Sequence, residues 1–305
     1  MTFTTALKEE LSKKKFNILE AHFELEGFLR CSNILNNNKT IVVENASVAR
    51  KIYTNIKHIF DIKPKIIIRI QKRFRAKQIY ILDLKEVYNI AIEYFGLNSK
   101  CSMLDNKEEK LAFLQGAFLA VGNISNPQTS GYHLEYICNN DKVAKFIKSL
   151  LIDFNFKAKI VNRKYKSVVY LKSGDDISDL LKLFKATSSL FFFEDIRIYR
   201  DHKNMVNRIN NCEISNQTRS IETGLKQIKS INYLEENNLL ELFDDKTKII
   251  IDARKKYPEF SLSELAQVIS LEYNYNIGKS GVNHHFRKIN ELIRKHKINN
   301  KVGIK

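Results

Sequence analysis

The sequence predicts an α+β protein in two parts, a pseudo-two-fold duplicated domain followed by an all-α domain. Three observations carry that expectation. An order of helix, strand, helix, hairpin and helix occurs twice, with matching residues 89 positions apart. Beyond about residue 225, apolar residues recur only at helical spacing. The 305 residues include 10 Gly and 3 Pro while 44% are hydrophobic, which suits packed cores of regular helix and strand and excludes collagen-like or glycine-lined designs. At roughly 150 residues per domain, the length is that of two domains.

The first copy covers about 17–96. A helical pattern over 17–31 leads to a strand from Thr40 to Glu44 and a helix near 46–59. Two β-rich runs, Lys65 to Ile70 and Gln78 to Leu82, flank a basic loop, and a helix near 84–96 closes the unit. The second copy covers about 108–187: a helix from Glu108 through Leu119, a strand from Tyr132 to Ile137, a helix near 140–152, strands Lys157–Asn162 and Ser167–Leu171, and a helix from Asp175. Leu25-Glu-Gly-Phe-Leu aligns with Leu114-Gln-Gly-Ala-Phe, and Tyr80-Ile-Leu with Val169-Tyr-Leu, at the same offset of 89. So long a period means one two-fold symmetric domain, here 1–195, and not a solenoid, whose repeats run about 20–50 residues.

The polar stretch 196–224 has no strand character and is expected to be a helical linker, although Asn204, Asn207, Asn210 and Asn211 weaken its helix propensity. The remainder, 225–305, is expected to fold as helices near 225–237, 245–257, 262–270 and 281–296. Ser261 and Glu264 have the spacing of a capping box, with Phe260 and Leu265 as its staple. Ser280 is expected to cap a last helix whose apolar stripe is Val282, Phe286, Ile289 and Ile293.

The formal charge is +17, and its position says more than its total. Residues 222–277 carry 7 Lys+Arg against 10 Asp+Glu, whereas 278–305 carry 8 against Glu291 alone. The last helix is therefore the element expected to face a polyanion. Opposite its apolar stripe lie Lys279, Ser280, Asn283, His284, Arg287 and Lys288. A supporting helix, a connection, and a second helix with donors and acceptors in its first turns make a helix-turn-helix pattern, in which Asn can read adenine and Arg or Lys can read guanine or grip phosphate. The free N–H groups near Ser280 and Gly281 add an anion site. A solvated basic terminal helix is the competing reading of the same residues.

Gly278-Lys-Ser-Gly-Val-Asn-His-His-Phe-Arg-Lys-Ile289 resembles the recognition-helix motif of the WhiA family, bacterial proteins first known as sporulation regulators, which runs Ser-Lys-Ser-Gly-Val-Asn-His-Arg-Leu-Arg-Lys. Lys279, Ser280, Gly281, Val282, Asn283, His284, Arg287 and Lys288 coincide with it, while Gly278, His285 and Phe286 depart from it. At His285 a basic residue of the family is lost, and with it one expected phosphate contact. The resemblance extends over Phe113–Ile124, Tyr132–Glu135 and Asn207–Asn216, nearly the whole chain. It implies a degenerate LAGLIDADG homing-endonuclease-like domain joined to a helix-turn-helix domain. It also implies double-stranded DNA as partner, and a transcriptional regulator linked to cell division and chromosome segregation. Lys279, Ser280, Gly281, Asn283, His284, Arg287 and Lys288 are then the expected DNA-binding residues.

In an active enzyme of that fold each repeat ends its motif helix with an acidic residue that holds the divalent metals. Here the motif places Ser32 and Val121 at those positions, and neither supplies a carboxylate oxygen to Mg²⁺. No catalytic residues, metal or cofactor are expected. Gly27 and Gly116 remain, as expected where two helices cross closely. Secondary nucleic-acid contacts are expected from the basic hairpin loops, Lys72, Arg73, Arg75 and Lys77 in one copy and Arg163, Lys164 and Lys166 in the other. Solvated Lys-rich turns are the alternative.

Other signals point to no chemistry. Gly278-Lys-Ser280 lacks the upstream Gly and the preceding strand of a P-loop. Cys31, Cys101, Cys138 and Cys212 form no CxxC pair, and the seven His include no HExxH. Leu190-Phe-Phe-Phe193 reads as core, with a partner surface as the alternative, and Asp175-Asp176 as a favourable first helical turn. No signal peptide and no apolar run of about 18 residues is present, so a cytoplasmic, nucleoid-associated protein without membrane contact is expected. Two other functions fit the same composition: a nuclease using other carboxylates, and an RNA- or ribosome-binding protein.

Overall fold

A computed structural model of the chain describes residues 2–14, 17–32, 39–71, 77–99, 101, 104–129 and 131–302. The chain forms two compact units that divide at Asp201 and His202. The first holds helices α1 (Phe3–Ser12), α2 (Ile18–Cys31), α3 (Ala46–Phe60), α4 (Tyr88–Tyr94), α5 (Lys107–Val121), α6 (Asp141–Asp153) and α7 (Gly174–Leu183), with strands β1 (Thr40–Val43), β2 (Lys65–Gln71), β3 (Lys77–Asp83), β4 (Gly122–Ile124), β5 (Leu134–Cys138), β6 (Lys159–Arg163) and β7 (Lys166–Leu171). The strands form two antiparallel sheets, ordered β1-β3-β2 and β4-β5-β7-β6.

The two copies meet through α2 and α5. A Cβ on Gly27 would stand 2.2 Å from the Phe113 carbonyl oxygen, and one on Gly116 would stand 1.9 Å from that of Glu24. Each glycine thus receives the backbone of the other copy, and residues 24 and 113 are themselves matched by the offset of 89. The surroundings are not symmetric. Glu24 is fully buried, accepts from Asn55 Nδ2 at 2.8 Å and Gln115 Nε2 at 3.2 Å, and has Lys51 Nζ at 3.4 Å. Phe113 packs edge-on against Phe146 instead.

Two elements were not expected from the sequence. Helix α1 buries Phe3, Leu7 and Leu11, and its Thr2 hydroxyl accepts from the Thr5 N–H. Three apolar residues four apart make one stripe among Thr, Lys and Glu, too sparse to separate from a charged tail. Strand β4 has three residues and leaves α5 with no loop, Gly122 being both helix cap and first strand residue. A run that short has no readable period. The Thr4 hydroxyl joins the two, donating to Ile124 O at 2.8 Å and accepting from Ile124 N–H at 3.0 Å.

Helix α8 (Thr187–Glu236) is a single 50-residue helix containing the unit boundary, so the stretch 196–224 and its Asn-rich run are helical throughout. The Glu10 carboxylate accepts from Ser188 and Ser189 N–H at 2.7 and 2.9 Å, satisfying orphan donors at its start. Of the aromatic run before residue 194, Phe193 is buried and Phe191 and Phe192 are exposed. Asp175 pairs with Arg197.

The second unit continues with α9 (Asp245–Lys256), α10 (Leu262–Glu272) and α11 (Lys279–Val302). Its core joins Ile231 and Leu234 to Ile250, Ile251, Leu265, Ile269, Val282, Phe286, Ile289 and Ile293. The capping box at α10 is formed, with Ser261 N–H donating to Glu264 Oε2 at 2.7 Å and Glu264 N–H to Ser261 Oγ at 3.3 Å. Arg254 is buried at 1% exposure and donates to the carbonyl oxygens of Tyr257, Pro258 and Phe260, fixing the turn between α9 and α10. Among the described residues no helix is long and apolar enough to cross a membrane.

Candidate nucleic-acid interface

The four residues of the expected apolar stripe on α11 are all buried, and that fixes the opposite face. Lys279, Ser280, His284, Arg287 and Lys288 are exposed, and Gly281 and Asn283 partly so. All seven expected residues lie in the first three turns, where a helix entering a groove presents its side chains. A Cβ on Gly281 would come within 2.6 Å of Ile277 Cγ1, so glycine here lets the preceding connection pack onto the helix start.

Two details differ from the sequence reading. Ser280 is not the N-cap: α11 begins at Lys279, and Gly278 already accepts the Val282 N–H at 3.1 Å, placing Ser280 inside the first turn. His285 does not replace an outward basic side chain. It is 7% exposed and its Nδ1 lies 2.8 Å from Thr247 Oγ1 on α9. A histidine between exposed His284 and buried Phe286 has the spacing of either face, so period alone could not orient it. Burial lowers its pKa below the ordinary value, with the Asp244 carboxylate opposing and Lys288, His284 and Lys246 reinforcing.

The connection from α10 to α11 runs over residues 273–278, longer than a tight turn, with Asn274 at φ 50°. On α10's side, Lys256 and Tyr257 both bond the Glu272 carboxylate and tie the ends of α9 and α10 together.

The two positions at which the motif leads one to expect acids sit together in the first unit. Ser32 and Val121 line a cavity of about 1040 Å³ with Phe28, Lys8, Asn45 and Asn123. The residues present do not fit a metal. The Ser32 hydroxyl donates back to the Phe28 carbonyl, and Val121 has no donor atom. Glu24 is committed to Asn55, Gln115 and Lys51, and Glu26 to Arg30 at 2.7 Å. Lys8 brings a cation instead, which burial pushes down to about 8 against the pull of Glu44. Among the described residues, no three His, Cys, Asp or Glu side chains group as metal ligands.

Of the secondary candidates, Arg163, Lys164 and Lys166 are exposed at the β6–β7 turn, where Lys164 adopts φ 53° and Arg163 lies 3.7 Å from Glu135. Lys72, Arg73 and Arg75 lie outside the described residues, and Lys77 opens β3.

Comparison with known proteins places this geometry. Residues 19–98 match the WhiA N-terminal LAGLIDADG-like domain, 110–203 the WhiA LAGLIDADG-like domain, and 206–293 the WhiA C-terminal HTH domain. The probable cell division protein WhiA of Staphylococcus aureus (strain JH9) is 34% identical over 308 residues, covering 97% of each chain. The same identity and coverage hold for the protein of strain Newman. The crystal structure of full-length WhiA from Thermatoga maritima is similar in fold, with a TM-score of 0.56 at 23% identity over 97% of this chain and 99% of that one. The architecture is thus α+β, with two LAGLIDADG-like domains, each with its antiparallel sheet, followed by a helical helix-turn-helix region. On these matches, which reach both crossing helices and most of α11, the chain belongs to the WhiA family.

Proposed function

We propose that this chain is a sequence-specific double-stranded-DNA-binding protein that regulates transcription, and that α11 reads the DNA. The observation that carries this is the exposed face of Lys279, Ser280, Asn283, His284, Arg287 and Lys288 on a helix whose other face is locked into a core. Asn283 and Arg287 are suited to base edges, and Lys279, His284 and Lys288 to phosphate. Gly281 admits Ile277 against the helix start and so helps to place the first turn. Arg163, Lys164 and Lys166, with Lys72, Arg73, Arg75 and Lys77 of the other hairpin, serve as secondary phosphate contacts. The name borne by the Staphylococcus aureus relatives supports a role in cell division, to which chromosome segregation is a natural extension. The protein then works in the cytoplasm, on the nucleoid.

The amino-terminal unit acts as a scaffold and not as a nuclease. The donor set at Ser32 and Val121 supports this, since neither side chain replaces a carboxylate. A protection footprint on fragments of the organism's own genome tests the DNA reading: discrete protected sites are expected, and uniform or absent protection would refute it. Turnover in a Mg²⁺-dependent cleavage assay would refute the scaffold role. Tighter binding to structured RNA than to duplex DNA at equal salt would favour an RNA partner instead.

A further inference from the structure

The buried face of α11 contains a polar side chain with a defined proton arrangement. His285 Nδ1 lies 2.8 Å from Thr247 Oγ1, and Thr247, which is fully buried, is also hydrogen-bonded to Asp244 Oδ1 just before α9. The hydroxyl has one proton. An ionised carboxylate can only accept, so that proton goes to Asp244 and the hydroxyl oxygen must accept from the imidazole. The hydrogen bond from Thr247 holds the Asp244 carboxyl below its ordinary range, consistent with its being ionised.

We propose that Asp244, Thr247 and His285 form a proton-ordered chain that fixes the imidazole as its Nδ1–H tautomer and sets the rotation of α11, making His285 a positioning residue for DNA reading. The positioning role rests on the function proposed above; the proton order does not. Apolar contacts from Val282, Phe286, Ile289 and Ile293 hold α11 in the core, but such contacts are non-directional and do not by themselves set the last few degrees of its rotation. A hydrogen bond has a preferred length and angle and fixes that rotation. With a helix radius of about 5–6 Å including side chains, a roll of about 10° carries a side-chain tip roughly 1 Å. That is more than a bidentate base contact tolerates. Farther along, Ser230 Oγ bonds Asn290 Oδ1 and Tyr233 Oη bonds His296 Nδ1, both at 3.0 Å, so α11 is pinned at several heights, but only His285 lies among the reading residues.

Nitrogen-15 NMR of the full chain tests the proton order. The His285 signals are expected to report Nδ1–H in the wild type and to move toward Nε2–H in Asp244→Asn, whose amide can donate to Thr247. An Nε2–H wild type would overturn the chain. For positioning, the probes are duplexes selected by the wild-type protein from a random-sequence library, with the unselected pool as reference. Thr247→Val is expected to lower the selected-to-unselected affinity ratio about tenfold with unselected binding unchanged, and Thr247→Ser to restore it. If Thr247→Val fails to fold, His285→Phe, which keeps an aromatic ring but removes the hydrogen bond, is expected to lower the ratio in the same direction. A lowered melting temperature with an unchanged ratio in these variants would make the chain structural only and overturn the positioning role. A wild type that enriches no sequence refutes DNA reading itself, and the NMR result then judges the proton order alone.

Discussion

The α-carbon of Gly116 faces the carbonyl of Glu24 so closely that a Cβ there would stand 1.9 Å from the oxygen. Backbone meets backbone at that point, and neither side can give way by a change of rotamer. Gly116→Ala is therefore expected to destabilise the first unit by about 3 kcal/mol or more, at the upper end of overpacking costs. Chemical denaturation followed by circular dichroism checks this, and a loss below about 1 kcal/mol would mean that the crossing is looser than described.

Removing the carboxylate at the same crossing should act by a different route. Glu24→Ala removes the carboxylate 3.4 Å from Lys51, leaves that buried ammonium bonded to the neutral Lys14 carbonyl at 2.6 Å, and is expected to cost about 3–5 kcal/mol. Adding Lys51→Met should recover part of that loss in the double variant, measured as a coupling energy in a denaturation cycle.

The two kinds of contact proposed for α11 separate by their salt and sequence dependence. Asn283→Ala or Arg287→Ala is expected to reduce discrimination between selected and random duplexes by about 1–3 kcal/mol. Lys288→Ala should weaken both alike and lower the salt slope by about one. Fluorescence titrations at several salt concentrations distinguish the outcomes, and unchanged discrimination in both Asn283 and Arg287 variants would move the reading surface off this helix.

The second unit is expected to lose stability on acidification in two steps. The folded-state pKa of His285 is lowered by burial, so its contribution is complete above 6.5 and is lost as pH falls through the folded value. Glu264 is lowered by hydrogen bonds from the Ser261 backbone and side chain, so its contribution is complete above 4.5 and is lost below. His285→Phe should remove the first step and Ser261→Ala shrink the second, seen in melting curves across pH. A first step that persists in His285→Phe would assign it to another group.

Much of this was legible from period and spacing. The offset of 89 alone locates both crossing glycines, and the stripe from Val282 to Ile293 assigns the two faces of α11. What escaped lacked a repeating signal. Helix α1 has one sparse stripe, β4 is three residues long, and the bond from His285 joins positions 38 residues apart that no local pattern relates. Buried Arg254 was invisible for the same reason, because a cation among Lys255 and Lys256 reads as surface until its three carbonyl partners are seen. The helix α11 starts two residues before the position that the Ser280 cap predicts, since a serine's capping preference says less than the carbonyl of Gly278.

The two glycine contacts are reciprocal: Gly27 receives the backbone at 113 and Gly116 the backbone at 24, the same pair of sites with the halves exchanged. That is the rule obeyed by a two-fold homodimer, whose patches must complement themselves. Joining both copies in one chain relaxes the rule everywhere except at the contact that still needs it. Position 24 is an acid with its own donors while position 113 is a phenylalanine, yet both crossing positions are glycine. The halves of this protein can therefore be chemically unequal, as at Ser32 and Val121, only so far as the shared crossing stays bare.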